Sequence, residues 1–259
     1  MDEVHRVCVE NGLRYYMIGG TLLGSVRHKG FIPWDNDIDI AMLRNDYERL
    51  KALCETELSS RFCCRDFDNT KNFERPHMLI CIRNTKLYTP YSVYNPKAEN
   101  LGVYLDVFPL DNAPDSPKEQ RRQANRLARI KWFKYYRIPY TYTPSKWKNA
   151  LRACFRATFF WISVDRVNRL QQREMMRYSN SETKKLCSMA SHYSYFKQCM
   201  PKEIYGEPQL MEFDGREYYG PAQPDAYLKR IYGDYMKMPP ESEQHADLET
   251  FTTVEMDCK

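Results

Sequence analysis

Apolar positions recur with two different periods along this chain, and each period predicts a different element. Residues 2–11 carry Val4, Val7 and Cys8 on one helical face, and Gly12 ends that predicted helix. Period-two alternation is typical of strands. It predicts strands over residues 37–42 and 103–108, and two further strands are predicted over residues 14–18 and 77–83. Pro109 is predicted to end the fourth strand, because proline cannot donate to a sheet.

Helical spacing recurs between and after these strands. A short helix is predicted over residues 21–26, and Asn45 with Glu48 predicts a capping box that opens another helix. Residues 117–180 are predicted to be helical and basic, and a last helix is predicted over residues 225–232. The chain therefore mixes helices with strands that are not confined to one part of the sequence.

The segment from residue 19 to residue 40 combines glycines with alternating carboxylates and reads GGTLLGSVRHKGFIPWDNDIDI. Alternation places Asp37 and Asp39 on one strand face, roughly 6.6 Å apart at the backbone. At an effective dielectric constant near 20, two such charges repel by about 2.5 kcal/mol. A divalent cation between them would offset that cost, and magnesium prefers one or two carboxylates together with substrate phosphates. The pattern indicates a phosphoryl- or nucleotidyl-transfer site.

Other residues of this segment are candidates for substrate binding. Gly19 and Gly20 let a phosphate approach the backbone, and the helix after them directs its N–H groups toward that phosphate. Arg27 suits two-pronged phosphate contact. The remaining candidates are Thr21, His28, Lys29, Trp34 and Asp35. Two of these have alternatives, since His28 either binds phosphate or hydrogen-bonds the loop, and Asp35 is either a further ligand or a loop anchor.

Composition limits the classes of protein that remain. The chain has 259 residues, of which 42% are hydrophobic, so it forms one large domain or a domain with an added subdomain. Its net charge of +5 fits anionic substrates or an anionic membrane surface, and it is too small to indicate a nucleic-acid partner. The first residues lack signal-peptide features and no apolar run is long enough to span a bilayer, so we expect a cytoplasmic protein.

Nine cysteines are present, and no Cys-x-x-Cys pair occurs. Cys8, Cys81, Cys154 and Cys187 lie among apolar residues, so reduced core cysteines are the favoured interpretation. A zinc site formed by Cys54, Cys63 and Cys64 is the weaker alternative, because their spacing fits no standard ligand pattern.

Basic and aromatic residues are interleaved through the region 117–180. Lys131, Lys134, Lys148 and Arg152 lie beside tryptophans, phenylalanines and tyrosines, as in Trp147. Two interpretations stay open. The helices either cover the sheet with a solvated basic face, or lie against an anionic membrane, which would place the protein on the inner face of that membrane.

Three blocks resemble the LicD/fukutin-type family, a branch of the nucleotidyltransferase superfamily. The first is the segment 19–40, the second is LDVFPLD at residues 105–111, and the third is a C-terminal run. That run includes Phe213-Asp214-Gly215, Tyr227-Leu228, Tyr232 to Met236, Pro239-Pro240 and His245. One departure is Asn36, where the family often has a third consecutive aspartate. Residues 112–205 carry no motif that matches.

The resemblance implies an α+β fold, with a nucleotidyltransferase-like mixed β-sheet flanked by helices and an added helical, basic-aromatic region. It divides the chain into a catalytic core at residues 1–111, a mainly helical region at 112–205 and a C-terminal segment at 206–259 that completes the LicD-type domain. Tyr232, Asp234 and Tyr235 are expected either to line the far wall of the cleft or simply to pack there.

The activity implied by the resemblance is metal-dependent transfer of a phospho-alcohol, such as phosphocholine. The donor would be CDP-linked, and the acceptor would be a sugar hydroxyl of a cell-surface glycan such as lipopolysaccharide or teichoic acid. Asp37, Asp39 and Asp106 would be the catalytic residues and would hold Mg²⁺ or Mn²⁺, with Asp106 either completing the metal shell or accepting a proton. Two alternatives stay open: a nucleotidyltransferase that acts on a small molecule or sugar phosphate, and a catalytically silent scaffold at a membrane.

Overall fold

The computed structural model describes residues 1–70, 73, 75–88, 100–137, 146–244 and 253–256. Its helices are α1 (Asp2–Glu10), α2 (Gly19–His28), α3 (Arg44–Glu57), α4 (Pro117–Arg137), α5 (Lys146–Thr158), α6 (Val164–Met175), α7 (Tyr195–Gln198), α8 (Lys202–Tyr205) and α9 (Pro224–Tyr232). Its strands are β1 (Tyr16–Met17), β2 (Asp39–Leu43), β3 (Phe62–Arg65), β4 (Met78–Ile82), β5 (Thr85–Tyr88), β6 (Tyr104–Ala113), β7 (Lys185–Cys187), β8 (Cys199–Pro201), β9 (Gln209–Phe213), β10 (Arg216–Gly220) and β11 (Thr253–Met256).

The main sheet is mixed and joins strands that are far apart in sequence. Its order is β1-β2-β6-β4-β3, and β7 and β8 extend it beyond the far end of β6. β2 and β6 run parallel, with Asp39 in register with Asp106, whereas β4 pairs with β6 in antiparallel fashion. Two antiparallel pairs lie outside this sheet: the hairpin of β9 with β10, and β5 with the distant β11. The predicted α+β fold with a mixed sheet flanked by helices is confirmed.

The prediction that Pro109 ends its strand is wrong, because β6 continues to Ala113. The N–H of Asp106 donates to Ile38 on the β2 side, so alternation turns the amide of residue 109 toward the opposite edge. On that edge, β4 pairs only as far as Val107 and β7 begins at Asp111. The missing N–H of Pro109 therefore falls between two partner strands and costs no ladder hydrogen bond.

Other element boundaries also differ from the predicted ones. β2 begins at Asp39, so Asp37 precedes the strand, and α2 includes both glycines of the pair at its start. The predicted capping box is wrong, because α3 begins at Arg44 and its start has no side-chain cap. Arg44 instead forms two hydrogen bonds of 2.7 Å with the buried Asp111, and this contact fixes the start of α3 against β6.

One hydrophobic cluster draws residues from all three predicted ranges. Its buried tyrosines include Tyr16 from residues 1–111, Tyr205 from residues 112–205 and Tyr227 from residues 206–259. The ring centroids of Tyr16 and Tyr205 are 5.5 Å apart, and those of Tyr205 and Tyr227 are 6.0 Å apart. The hairpin β9–β10 is bonded to α2, since the Ser25 hydroxyl donates to the Glu212 carbonyl at 2.7 Å. The three ranges therefore share one core.

The region 117–180 is mainly helical, as predicted, although residues 138–145 lie outside the described part of the chain. α4 packs on α6, where Gln123 donates to the carbonyl of Glu174 and Arg126 forms an ion pair with its carboxylate. Among the described residues, no helix is both long enough and apolar enough to cross a membrane.

The cysteines are free throughout the described residues. Cys8, Cys81 and Cys187 are buried, as predicted. Cys154 is exposed on α5, so its assignment to the core is wrong. Within the same described ranges, no zinc-like cluster forms around Cys54.

Candidate active site

A cleft of about 640 Å³ opens where α2 and β2 meet the C-terminal segment. The side that carries the first sequence block contributes Gly19, Gly20, Leu23, Arg27, Ile32, Trp34, Asp35, Asp37 and Asp39. The segments after β7 and at the end of α9 contribute an aromatic wall with His192, Tyr193, Tyr232, Asp234, Tyr235, Lys237, Met238, Pro239 and Pro240. Glycines and carboxylates therefore face an aromatic wall across one opening.

The glycine pair forms the start of α2 at the floor of this cleft. Gly19 has φ of +55°, a conformation that favours glycine, and its N–H donates to the Tyr227 hydroxyl at 3.3 Å. At Gly20, an added Cβ would lie only 2.0 Å from Oδ2 of Asp35. The Asp35 carboxylate thus rests directly on the helix start, where the backbone dipoles stabilise negative charge.

Three carboxylates of the first block gather on this side of the cleft. Asp39 is positioned by its own N–H, which donates to the hydroxyl of the buried Thr21 at 2.8 Å. Burial, and then the nearby charges of Asp37, Asp106 and Asp35, raise the pKa of Asp39 to about 9. The site therefore concentrates negative charge around a side chain that resists ionisation.

Asp106 lies beside Asp39 in the sheet, but it is only 4% exposed and does not line the cleft. Its Oδ1 accepts from Arg75 at 2.8 Å and contacts Nε2 of His77 at 2.6 Å. Burial alone would raise the pKa of Asp106, but the hydrogen bond with His77 and the charge and hydrogen bond of Arg75 outweigh burial and lower it. Asp106 is thus a fixed negative charge behind the cleft.

His77 supports this carboxylate as a buried, neutral ring. Burial lowers the pKa of His77, and its Nδ1 has no hydrogen-bond partner. With Nε2 as the protonated nitrogen, the ring donates to Asp106 and places a lone pair at the unpartnered Nδ1. The ring also packs on Phe108, with centroids 4.1 Å apart. His77 therefore orients Asp106 from one side while Arg75 neutralises it from another.

The remaining candidates of the first block divide between the cleft and its supports. Arg27 lines the cleft and donates to the Tyr235 carbonyl at 2.9 Å. Lys29 caps the end of α2 with φ of 60°, and its carbonyl accepts from the Asp214 N–H at 2.7 Å. His28 contacts the edge of Trp34. Among the described residues, the cleft lining omits Thr21, His28, Lys29 and Asp106.

The aromatic wall comes from two separate segments. The rings of Tyr193 and Tyr232 meet edge to face with centroids 6.0 Å apart. Tyr232, Asp234 and Tyr235 lie in the wall, one of the two positions expected for them. Sequence reasoning missed His192, Tyr193 and Lys237, and it also missed Arg75 and His77 behind the carboxylates. The sequence offered a signal for Arg75 and His77, because these two basic side chains lie immediately before the apolar run that forms β4.

Comparison with known sequences decides which family this cleft represents. The sequence profile of the LicD/FKTN/FKRP nucleotidyltransferase domain matches residues 12–160, which is more than half of the chain. The chain belongs to the LicD family. The lipopolysaccharide cholinephosphotransferase LicD of Haemophilus influenzae is 26% identical to it over 253 residues, covering 94% of this chain and 90% of that relative. The ribitol 5-phosphate transferases FKRP of human and mouse are each 41% identical over 49 residues, which is 19% of this chain and 10% of each relative.

The three sequence blocks that resemble the LicD family have different roles in this structure. The first block supplies the helix start and three of the four carboxylates that line the cleft. The second block ends at Asp111, which is bonded to Arg44 and stabilises the sheet. In the third block, Asp214 holds the end of α2, whereas Tyr232 and Asp234 face the cleft. His245, the last residue of the resemblance, lies outside the described residues.

The donor chemistry of the cleft suits a hard divalent cation. Carboxylate oxygens are the ligands that Mg²⁺ prefers, and the raised pKa of Asp39 reflects burial first and then the neighbouring negative charge, which a cation would neutralise. Over the described ranges, no three His, Cys, Asp or Glu side chains already form a ligand-like group. The fit therefore rests on the clustered charge and not on a preformed shell.

Proposed function

We propose that this protein is a metal-dependent transferase that moves a phospho-alcohol from a CDP-linked donor to a sugar hydroxyl of a cell-surface glycan. One observation carries the proposal: the glycine start of α2 and the carboxylates Asp35, Asp37 and Asp39 face the same cleft. Family membership and the relatives named above, a cholinephosphotransferase and two ribitol 5-phosphate transferases, support the same class of reaction.

The diphosphate of the donor would lie over the start of α2. The Asp35 carboxylate fills the space next to Gly20, so the phosphate oxygens would approach the helix start beside Asp35, and Arg27 supplies a cationic side chain to the same cleft. Asp37 and Asp39 would hold Mg²⁺ or Mn²⁺, with Asp106 as a further negative charge behind them. When bound, this cation would neutralise charge on the diphosphate and on the leaving nucleotide.

The proton of the attacking sugar hydroxyl needs an acceptor in the cleft. Asp106 is poorly suited, because it is buried, bonded to Arg75 and His77, and has a lowered pKa. The cation that Asp37 and Asp39 would hold would lower the pKa of the attacking hydroxyl, so its proton can pass to solvent through the open cleft. Asp106 then acts as a positioning charge beside Asp39 instead of a base.

The aromatic wall favours phosphocholine as the transferred group. Trp34, Tyr193, Tyr232 and Tyr235 present ring surfaces to the cleft, and Asp234 adds a carboxylate. Aromatic faces attract quaternary ammonium groups, whereas a polyol phosphate such as ribitol phosphate would need more hydrogen-bonding groups. The name of the Haemophilus relative agrees with this choice.

The test is to incubate the protein with CDP-choline, CDP-ribitol, CDP-glycerol and nucleoside triphosphates, each with and without Mg²⁺. The proposal predicts Mg²⁺-dependent release of CMP, fastest from CDP-choline. Release of pyrophosphate from a triphosphate, with no CMP from any CDP-alcohol, would instead favour a nucleotidyltransferase. Binding of CDP-choline without any product would favour a silent scaffold. Asp39→Asn serves as the inactive control.

A further inference from the structure

Positive charge is concentrated in two helices away from the cleft. α4 and α5 together contain twelve lysines and arginines and a single acidic residue, Glu119, which gives them a formal charge of +11. The whole chain carries +5, so the rest of the sequence carries −6. These two helices therefore hold the entire positive excess of the protein. Such a separation of charge indicates a binding surface for an anionic partner.

The apolar stripe of α5 faces outward. Trp147, Leu151 and Cys154 follow the i, i+4, i+7 spacing of one helical face, and all three are exposed, with Trp147 at 67% and Leu151 at 51%. The basic Arg152 lies on the inner side of the same helix and is only 5% exposed. A surface helix of a globular protein normally has the opposite arrangement, with its apolar face toward the core.

The outward stripe is held in place by aromatic packing against α4. The ring of Phe155 contacts Trp132, Phe133 and Tyr136, with centroids 5.2–5.8 Å apart. After α5, the Arg137 guanidinium donates to the carbonyls of Phe160 and Ile162 and fixes the turn that follows. The exposed side chains are therefore presented by packed helices and a bonded turn.

These side chains form one surface, which we name the aromatic-basic surface. Its exposed apolar members are Trp132, Tyr135, Trp147, Leu151, Phe160 and Trp161. Tyr135, Trp147 and Leu151 line a shallow groove together with Lys148. Three of the four tryptophans of the chain belong to this surface. Tryptophan and tyrosine are enriched where proteins meet the boundary between lipid headgroups and acyl chains.

We propose that the aromatic-basic surface docks on an anionic lipid bilayer. The apolar stripe of α5 would enter the headgroup region, and Lys148 with the exposed Arg129 of α4 would contact anionic headgroups. Nucleic acid is a poorer fit, because a duplex or single strand offers phosphates but no apolar layer for Leu151 and Phe160. The charge separation and the outward stripe are independent observations, and a bilayer accounts for both.

Docking through α4 would also reach the cleft. The Lys131 ammonium donates to the Ser191 carbonyl at 3.0 Å, and the Tyr195 hydroxyl donates to Gln123 at 2.8 Å. His192 and Tyr193, which lie between these two anchors, are part of the aromatic wall. When α4 and α5 bind a bilayer, the hydrogen bonds of α4 would thus link the membrane-bound surface to the wall of the cleft. The docking inference itself does not depend on the proposed reaction.

The test measures sedimentation of the full-length protein with vesicles of phosphatidylcholine, with or without phosphatidylglycerol. Two double variants probe the surface: Trp147→Ser with Leu151→Ser removes the apolar stripe, and Lys148→Gln with Arg129→Gln removes two charges. Leu210→Ser and Arg61→Gln are matched controls, because both residues are exposed on other parts of the molecule. Circular dichroism confirms that each variant is folded.

We expect the wild type to sediment with the anionic vesicles and to be released by salt, since surface charge is screened within about 8–10 Å at ordinary ionic strength. Removing two charges should lower the partition coefficient about 25-fold, since one basic side chain near an anionic surface is worth roughly fivefold. The apolar variant should also lose the blue shift of tryptophan emission on vesicles, and both controls should behave as wild type.

Two results would overturn the inference. One is equal recovery of the wild type in the supernatant with both vesicle types at low salt. The other is tight binding to duplex RNA or DNA, weakened by the charge variant, when vesicles are not bound. In that case the aromatic-basic surface would be a nucleic-acid-binding surface.

Discussion

Replacement of Gly20 by alanine tests the contact between the Asp35 carboxylate and the start of α2. The new Cβ would lie 2.0 Å from Oδ2 of Asp35, and an ordinary contact needs about 3.4 Å, so the carboxylate must move by about 1.4 Å. A misplacement of about 1 Å in an active site can cost on the order of 100-fold in rate. We therefore expect kcat/KM for CMP release to fall about 100-fold in Gly20→Ala.

Stability should respond differently from activity in this variant. Gly20 is the second residue of α2 and does not have a positive φ, so alanine adds no backbone strain there and gains part of the helix-interior preference over glycine, which is about 1 kcal/mol. That gain offsets part of the cost of moving a side chain. We expect the melting temperature of Gly20→Ala to stay within about 4 °C of wild type, the shift that about 1 kcal/mol produces in a domain of this size.

Gly24→Ala is the matched control within the same helix. Its Cβ would lie 2.4 Å from the carbonyl oxygen of Gly30, which is backbone and cannot rotate away. Overpacking of this kind typically costs about 1–3 kcal/mol, so this variant should lose stability. The assays are thermal unfolding and steady-state CMP release. If Gly20→Ala were folded and kept its kcat/KM within threefold, the position of the Asp35 carboxylate would not matter to the reaction.

Three further predictions concern charge in and behind the cleft. The pKa of Asp39 is raised in the folded protein relative to the unfolded chain. The stability that this group contributes is therefore fully present below its unfolded pKa of about 4, and it is lost as pH rises to about 9. Without metal, the melting temperature of Asp39→Asn should therefore exceed that of wild type by a margin that grows from pH 5 to pH 9, and a constant margin would contradict the assignment. Arg44→Met leaves the fully buried Asp111 without its partner and should cost about 3–5 kcal/mol in urea unfolding, whereas Arg216→Met, at an exposed ion pair with Asp2, should cost less than about 0.5 kcal/mol; equal costs would refute the role of the buried pair. Arg75→Gln should lower the melting temperature more in EDTA than in Mg²⁺, since a bound cation would also neutralise Asp39 and Asp106, and an identical loss in both would argue against a cation there.

Local patterns were sufficient for elements whose signals lie within a few residues. The helix stopped by Gly12, the strand over Met78–Ile82 and the last helix over Pro224–Tyr232 all lie where periodicity predicted them. The continuation of β6 through Pro109 could not be predicted, because it depends on which edge the residue 109 amide faces and where two other strands begin and end. The start of α3 depends likewise on Asp111, a distant partner of Arg44.

The same distinction applies to the candidate site. Asp35, Asp37 and Asp39 were evident because they occupy alternate positions of one motif, and all three line the cleft. Arg75 and His77 approach Asp106 only because β4 pairs with β6, and Tyr193 reaches the cleft only through packing of the segment after β7. Those contacts are set by strand order, which no short stretch of sequence specifies.

The central claim is transfer of a phospho-alcohol to a sugar, and phosphorus NMR of the products tests it most directly. The protein is incubated with CDP-choline, Mg²⁺ and a candidate glycan acceptor, and the same mixture without glycan is the control. A bound and oriented hydroxyl gains the advantage of proximity, so CMP release should be much faster with glycan than with water alone. The account predicts a new phosphodiester signal together with CMP, both absent from Asp39→Asn. Formation of phosphocholine as a free phosphomonoester from every donor, whichever glycan is supplied, would contradict the account and indicate a hydrolase.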